Sequence, residues 1–400
     1  MDLEYGEEYE RFRTDVREFL KKNRDRAPRG MGMAGGHPPQ GALDWQKLLI
    51  ENGYAARTIP KKYGGHGAAP DILKTVIIDE EFARSGVSRG ISGQGPAMLV
   101  PTLLEHGTEA QKERWVAPTI RGEVVWCQGY SEPGSGSDLA SLQTFAKEDG
   151  DDFLINGQKI WTSSAHFADM MFVLVRTELE ASKHSGISYV LLSMDTPGLD
   201  VQPLRTMTGG AEFNQIFFTD VRVPQANVVG RRGEGWKIAN TTLKHERNML
   251  GDAGQLESAM QGLIRLMETE TRNGVRGIDN PIFRDRLVRL QARALALKYH
   301  SMRLLTYGLR GESPGVAGLV VKLQGCELSH QISALGLDVM GELGALYNHS
   351  KYERSGGMWQ SQYMFSIGLI IGGGTAQIQK NIIAERGLGL PREPKLSAEK

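Results

Sequence analysis

The stretch Tyr130-Ser-Glu-Pro-Gly-Ser-Gly-Ser-Asp138 lies where the chain changes character. From about Gly122 onward, short β-prone runs alternate with Asp-Gly and Asn-Gly turns, at 124–128, 144–148, 153–156, 171–176, 187–193 and 215–223. Runs of this length with frequent turns indicate an antiparallel sheet or a small barrel, and not alternating βαβ units. The sequence therefore predicts a β domain over residues 123–232.

The segment before this β region has a helical pattern. Asp71 and Thr108 stand where helix N-caps belong, and Asp44 is predicted to be a third cap, before a helix over 45–50. Near the N-terminus the apolar side chains recur at helical spacing, at Tyr9, Phe12, Val16, Phe19 and Leu20. Residues 1–122 are therefore predicted to form an N-terminal helical domain.

Long helical patterns return after Gly233. They cover residues 235–271, 281–309, 315–339 and 364–386 and are joined by short breaks, as in a helical bundle. The predicted fold class is therefore α+β, with an N-terminal α-helical domain, a middle antiparallel β domain and a C-terminal four-helix bundle over 233–400.

Composition excludes several classes of protein. The 47 basic residues equal the 47 acidic ones among 400, whereas a nucleic-acid-binding protein would usually carry a basic excess. The two cysteines form no CxxC pair and the histidines are scattered singly, so no metal site is predicted. The N-terminus is acidic, and no apolar run reaches the ~20 residues of a membrane-spanning helix. A cytoplasmic protein is expected.

A second glycine-rich stretch, Ile371-Gly-Gly-Gly-Thr-Ala-Gln-Ile-Gln379, precedes a helical pattern near the C-terminus. Neither glycine-rich stretch is a dinucleotide-binding fingerprint, because Leu139 occupies the third glycine position of the first and no βαβ unit surrounds it. Neither stretch carries the lysine and hydroxyl of a phosphate-binding P-loop. Each stretch, taken alone, is compatible with a simple tight turn.

Taken together, the motifs resemble those of the acyl-CoA dehydrogenase family. YSEPGSGSD (130–138) resembles the family's T-E-P-x-x-G-S-D loop, and GQKIWTSSAHFAD (157–169) resembles its G-x-K-x-W-I-T strand. FNQIFFTDVRVP (213–224) is similar to the strand that leaves the sheet domain. GGTAQIQKNIIAERGLGLPRE (373–393) is similar to the C-terminal G-T-x-x-I-Q helix. The resemblance spans nearly the whole chain in family order, and it implies the same fold and FAD as cofactor.

The resemblance also implies which residues contact FAD. Small residues suit the pyrophosphate, because their backbone N–H groups can approach phosphate oxygens closely. The implied contacts are Tyr130 and Ser131 beside the flavin ring, Gly136 and Ser137 near the pyrophosphate, Trp161 against the isoalloxazine, Ser163 near its reactive nitrogen, and Thr375 and Gln377. From the residues alone, Trp161, Ser163 and Tyr130 are equally compatible with ordinary strand and core positions.

The reaction that the resemblance implies needs a carboxylate to remove the α-proton of an acyl-CoA while hydride leaves the β-carbon. In much of the family this Glu directly precedes the C-terminal G-T, a position held here by Gly373. A subgroup instead carries the Glu before an Arg on the first bundle helix, after a G-W motif. Glu246 matches that position, and a solvated helix carboxylate is the alternative interpretation.

Two further residues complete the implied catalytic set. Gly373 retains a backbone N–H that the resemblance assigns to the thioester carbonyl, where it would stabilise the enolate oxygen. Arg247 is implied to orient groups near the base, with a surface ion pair as the alternative. The adenine half of FAD matches less well, because Asn280 replaces a common Arg and Asp338 replaces a common Gln.

Three hypotheses about function remain open at this stage. The first is a catalytic acyl-CoA dehydrogenase that uses Glu246, with an electron-transfer flavoprotein as the implied acceptor and a tetramer as the implied assembly. The second is a flavin oxidase or monooxygenase of the same fold, although Gly373 lacks the acid of that class. The third is a supporting subunit of a heteromer. The sequence leaves the acyl group open: straight, branched, cyclic or steroid-like.

Overall fold

A computed structural model describes residues 6–28, 36–249, 253–347 and 350–392, with the side chains of 247–249 outside the description. The chain divides into two compact units, Met1–His245 and Glu246–Lys400. No helix within the described residues is long and apolar enough to cross a membrane.

The first unit begins with helices, as predicted. They are α1 (Glu7–Asn23), α2 (Gln40–Glu51), α3 (Ile72–Ser85), α4 (Val100–His106) and α5 (Glu109–Arg121). Two predicted caps are confirmed: Asp71 accepts a hydrogen bond from the Lys74 N–H, and Thr108 forms a capping box with Gln111.

The predicted cap at Asp44 is wrong, because α2 begins one turn earlier. Its N-cap is Pro39, whose extended backbone (φ −67°, ψ 158°) leads directly into the helix. Asp44 lies inside α2, where its carboxylate accepts a hydrogen bond from the Gln40 side chain at 2.9 Å. This i, i+4 pair satisfies Asp44 without a capping role.

An eight-stranded sheet follows the helices. The strands are β1 (Trp126–Gly129), β2 (Phe145–Asp149), β3 (Asp152–Ser163), β4 (Met170–Arg176), β5 (Ile187–Ser193), β6 (Leu199–Leu204), β7 (Phe213–Pro224) and β8 (Val228–Val229). They run in the order β6-β7-β3-β2-β4-β5-β8, with β1 added beside β4. Most pairings are antiparallel, as predicted, but β1 and β2 both run parallel to β4.

Strand β4 is buried on both faces and separates two apolar cores. Phe172 and Leu174 pack with residues of the neighbouring helices, whereas Met171 and Val173 pack with β3, β5 and β7. Because successive side chains of a strand point to opposite faces, an unbroken apolar run is needed where both faces are covered. Apolar side chains therefore cover both faces of the sheet at β4.

The second unit is helical and begins within α6 (Gly235–Met249), which crosses from the first unit into the second. It continues with α7 (Ala253–Thr269), a short hairpin of β9 (Thr271–Arg272) and β10 (Val275–Arg276), α8 (Pro281–Leu309), α9 (Ala317–Met340), α10 (Met358–Ile371) and α11 (Ala376–Ile382). Leu263, Leu290 and Leu335 are members of the core that α7, α8 and α9 share.

The prediction of one helix over 364–386 is wrong, because the chain turns between α10 and α11. Gly373 and Gly374 have φ of 64° and 95°, which a right-handed helix does not allow. Glycine adopts such angles without the steric cost that a β-carbon would bring. The second glycine-rich stretch is therefore a turn that ends one helix and starts the next.

Candidate functional site

The loop at 130–138 is fixed to the sheet by a buried carboxylate. Glu132 accepts hydrogen bonds from the backbone N–H groups of Gln143 at 2.6 Å and Thr144 at 2.9 Å. Its Oε1 also lies 2.8 Å from the Nζ of Lys159 on β3. These bonds fix the loop against β2 and β3, so the loop backbone keeps one arrangement.

Lys159 is completely buried and reaches two parts of the loop. Besides Glu132, its Nζ donates to the Tyr130 carbonyl at 3.1 Å. Burial lowers the pKa of Lys159 to about 8, although the Glu132 charge opposes this shift. Burial alone would raise the pKa of Glu132, but the Lys159 charge and the hydrogen bonds outweigh it, so the pKa lies below its ordinary value.

Trp161 is held on the outside of the sheet by an irregularity in β3. The pairing of β3 with β7 shifts register between Lys159 and Thr162, and Trp161 has φ of +61°. Its ring is 58% exposed and contacts Phe213 edge-on, with ring centroids 5.9 Å apart. A left-handed backbone is costly for a bulky residue and clusters at functional sites. The result is an open aromatic surface suited to stacking a planar ring.

Among the residues that the structure describes, hydrogen-bond donors without a protein acceptor occur in the loop at 130–138 and at the end of β3. In the part of the chain that the structure describes, the backbone N–H groups of Gly136 and Ser137 donate to no protein acceptor. The hydroxyls of Ser131 and Ser163 likewise make no hydrogen bond among the described residues, although the Ser131 carbonyl accepts one from the Ile160 N–H at 2.9 Å. Free backbone and hydroxyl donors fit the phosphates and ring edge of a flavin nucleotide.

Tyr130 has its side chain in the core and not on the open surface. Its ring is 5% exposed and packs edge-on against Phe172 and Tyr189. The Tyr130 carbonyl accepts a hydrogen bond from Lys159 Nζ, so the backbone of this residue is held together with the loop.

In the second unit, Glu246 lies near the end of α6 and is half-buried. Burial lowers the pKa of Lys322 on α9, and the smaller opposing effects of Cys326 and of the Glu246 charge do not restore it. Arg247 also lies on α6, but its side chain lies outside the described residues.

The turn between α10 and α11 carries the remaining predicted residues. Thr375 is the N-cap of α11, where its hydroxyl accepts a hydrogen bond from the Ile378 N–H at 3.2 Å. Gln377 is exposed on the first turn of α11. The Gly373 N–H donates to no acceptor among the described residues, so this donor is available to a ligand.

The two positions that depart from the family pattern are engaged within the unit. Asn280 caps α8 by accepting hydrogen bonds from the Ile282 and Phe283 N–H groups. Asp338 forms an ion pair with Arg286, with 2.7 Å between Oδ2 and Nη1. Both polar groups therefore already have partners in this chain.

Sequence reasoning missed the residues that support the site. Glu132 and Lys159 lie inside the stretches 130–138 and 157–169 that resemble family motifs, but the sequence predicted no role for either residue. Lys322 and Gln379 were missed as well, and both are almost completely buried. A lysine among apolar helix residues, as in Leu-Val-Val-Lys322-Leu, was the available signal, because buried charges are found where they have partners.

Comparison with known proteins identifies the class. The N-terminal domain model of acyl-CoA dehydrogenases matches residues 6–123, the middle-domain model matches 127–221 and the C-terminal-domain model matches 233–388. The chain therefore belongs to the acyl-CoA dehydrogenase family, whose members are FAD-dependent flavoproteins. The predicted fold class, enzyme class and cofactor are confirmed.

Relatives are known at both the sequence and the structure level. The acyl-CoA dehydrogenase IpdE1 of Mycobacterium tuberculosis is 38% identical over 97% of this chain and 100% of its own length. The human mitochondrial short-chain specific enzyme is 30% identical over 73% of this chain and 71% of its own. The Tcur3481-Tcur3483 steroid acyl-CoA dehydrogenase has a TM-score of 0.81 at 29% identity, with 98% and 100% coverage. The ChsE4-ChsE5 complex of M. tuberculosis has a TM-score of 0.78 at 30% identity, with the same coverage.

Proposed function

We propose that this chain catalyses α,β-dehydrogenation of an acyl-CoA thioester to the 2-enoyl-CoA, with Glu246 removing the α-proton. FAD, when bound, accepts the β-hydride. The observation that carries the proposal is that, of the two candidate base positions, only the half-buried Glu246 has a carboxylate, whereas Gly373 has no side chain. Arg247 would orient groups near this base.

The Gly373 N–H is proposed to donate to the thioester carbonyl oxygen. Removal of the α-proton moves negative charge onto this oxygen, and a fixed donor stabilises that charge most strongly in the transition state. The free N–H supports this role. The proposed FAD contacts in the first unit are Ser131, Gly136, Ser137, Trp161 and Ser163, with Tyr130 contributing through its backbone. Thr375 and Gln377 are the FAD contacts proposed for the second unit.

We further propose a steroid-like acyl group as substrate. A solved structure with a TM-score of 0.81 to this chain is described as a steroid acyl-CoA dehydrogenase. Gly373 adds no side chain beside the thioester, which leaves room for a bulky acyl group. The proposed setting is a cytoplasmic tetramer that passes electrons to an electron-transfer flavoprotein. The proposed domain division remains 1–122, 123–232 and 233–400.

The experiment is an anaerobic titration of the flavin spectrum with straight-chain, branched, cyclic and steroid-side-chain acyl-CoA esters. Bleaching of the flavin by one class identifies reaction and substrate together. Glu246→Gln should bind FAD but lose flavin reduction by at least about 1,000-fold. Glu268→Gln, an exposed carboxylate on α7, is the matched control and should reduce normally. Full reduction by Glu246→Gln would contradict the assigned base.

A second candidate function is a subunit of a heteromeric dehydrogenase. It is favoured by Asn280 and Asp338, whose side chains are engaged at α8 and with Arg286. A carboxylate near a pyrophosphate is electrostatically unfavourable. Protein that is purified without flavin, and that becomes yellow only together with a second chain, would support this function. Steady peroxide formation in air would instead support a flavin oxidase or monooxygenase.

A further inference from the structure

The turn between α10 and α11 is held by two buried side chains from within the second unit. Lys322 on α9 donates through Nζ to the Gly374 carbonyl at 2.6 Å and to the Ile370 carbonyl at 3.1 Å. Gln379 on α11 donates through Nε2 to the Gly373 carbonyl at 3.2 Å. Both side chains are about 1% exposed, so their polar groups depend on partners within the protein.

The Lys322 bonds close the turn at both ends. Ile370 belongs to the last turn of α10, where backbone carbonyls lack helical partners and carry the negative end of the helix dipole. One ammonium group binds the Ile370 carbonyl before the turn and the Gly374 carbonyl at its end. The three residues between these two carbonyls are therefore held at both ends. Burial lowers the pKa of Lys322, and Cys326 and the Glu246 charge oppose this shift to a smaller extent. As a donor to two carbonyl oxygens, the amine is satisfied in its protonated form.

Gln379 fixes the peptide in the middle of the turn. Its amide binds the Gly373 carbonyl, while its Oε1 is buried without a partner among the described residues. A buried acceptor without a partner costs free energy, so the residue is poorly explained by stability alone. The Gly373 N–H belongs to the peptide between Gly372 and Gly373, which lies between the engaged Ile370 and Gly373 carbonyls. It donates to no acceptor among the described residues, so two fixed points flank a donor that is available to a ligand.

We propose that Lys322 and Gln379 are positioning residues that orient the Gly373 N–H toward the thioester oxygen. The proposal rests on the proposed function, in which this N–H stabilises the enolate. Glycine has the widest conformational freedom of any residue, so a donor on a Gly-Gly-Gly turn is pre-organised only if other groups fix it. Lys322 and Gln379 supply that constraint from α9 and α11.

The test measures enolate stabilisation at equilibrium and not turnover. Acetoacetyl-CoA has an acidic α-carbon, and its enolate is followed by ultraviolet absorbance. The enolate-to-keto ratio of the bound ligand is compared among variants at the pH where wild-type-bound ligand is half enolised. Lys322→Met and Gln379→Leu should each lower this ratio about 10-fold, because a displaced donor loses part of its effect. Lys380→Met, an exposed lysine on α11, should leave it unchanged.

The two variants separate position from charge. Gln379→Leu changes no charge and removes a buried unpaired oxygen, so it also serves if Lys322→Met fails to fold. A wild-type ratio in Gln379→Leu would overturn the proposal, whether or not Lys322→Met lowers it, because an effect of the lysine alone is electrostatic. The Glu246→Gln variant separates failure of the positioning role from failure of the proposed function. If Glu246→Gln cannot reduce flavin while Gln379→Leu keeps the wild-type ratio, the proposed function stands and only the positioning role fails.

Discussion

Lys159 Nζ lies 2.8 Å from Glu132 Oε1, and the Lys159 side chain has no exposed surface. The pair joins the loop at 130–138 to the strand that presents Trp161. Both elements of the expected flavin surface therefore share one buried anchor, and a change at the anchor is expected to affect both.

Breaking this pair from one side should destabilise the protein. Lys159→Met leaves the Glu132 carboxylate buried without its cation, so we expect the free energy of unfolding to fall by about 3 kcal/mol. The double variant Glu132→Gln/Lys159→Met should lose less, because no charge remains buried. Urea denaturation of the apoprotein measures both. Lys183→Met, which breaks the exposed pair with Asp138 of the same loop, should change stability by less than about 1 kcal/mol.

The same pair predicts how stability depends on pH. The pKa of Glu132 is lower in the folded chain than its ordinary value of 4.5, so the unfolded chain binds the proton more readily. The stabilisation is complete above pH 4.5 and is lost as pH falls through the lower, folded pKa. Lys159 stays protonated throughout this window. Wild type and Glu132→Gln should therefore converge in stability below pH 4.5; a constant difference down to pH 3 would contradict the assignment.

Trp161 should show opposite effects on stability and on cofactor binding. Trp161→Gly removes an exposed ring from a residue with φ of +61°, so apoprotein stability should rise by about 1 kcal/mol. FAD affinity should fall about 5-fold, since an aromatic contact is worth about 1 kcal/mol. Asn273→Gly, also at positive φ, is the control and should leave FAD affinity unchanged. Unchanged affinity in Trp161→Gly would exclude the ring from the site.

The glycines of the turn at 372–374 should differ in their tolerance of alanine. A β-carbon on Gly374 would lie 2.7 Å from Gln379 Nε2, and its φ of 95° disfavours alanine further. Gly372 has φ of −62°, and the nearest atom to its β-carbon would be the Gly368 carbonyl at 3.3 Å. Gly374→Ala should therefore lower the melting temperature by several degrees, corresponding to about 1–2 kcal/mol. Gly372→Ala should be nearly neutral; equal losses would indicate that the turn adapts.

Local pattern in the sequence was sufficient for most elements of the fold. The spacing of apolar residues predicted α8 at its observed bounds, 281–309, and β5 at 187–193. These predictions succeed because a helix or strand with one or two buried faces needs apolar residues at regular positions in the sequence. Strand β3 was predicted far too short, over 153–156, because Gly157 and the buried Lys159 interrupt its apolar pattern.

The sequence by itself determined the order of helical and β domains and the family, because these depend on motif order and periodicity. Glu246 as the base stays a prediction. Only the tertiary structure decided what holds the motifs in place. Glu132 forms an ion pair with Lys159, 27 residues away in the sequence, and Lys322 binds the Gly374 carbonyl, 52 residues away. No local rule pairs residues so distant, because their partnership depends on which charges the packed elements bury together.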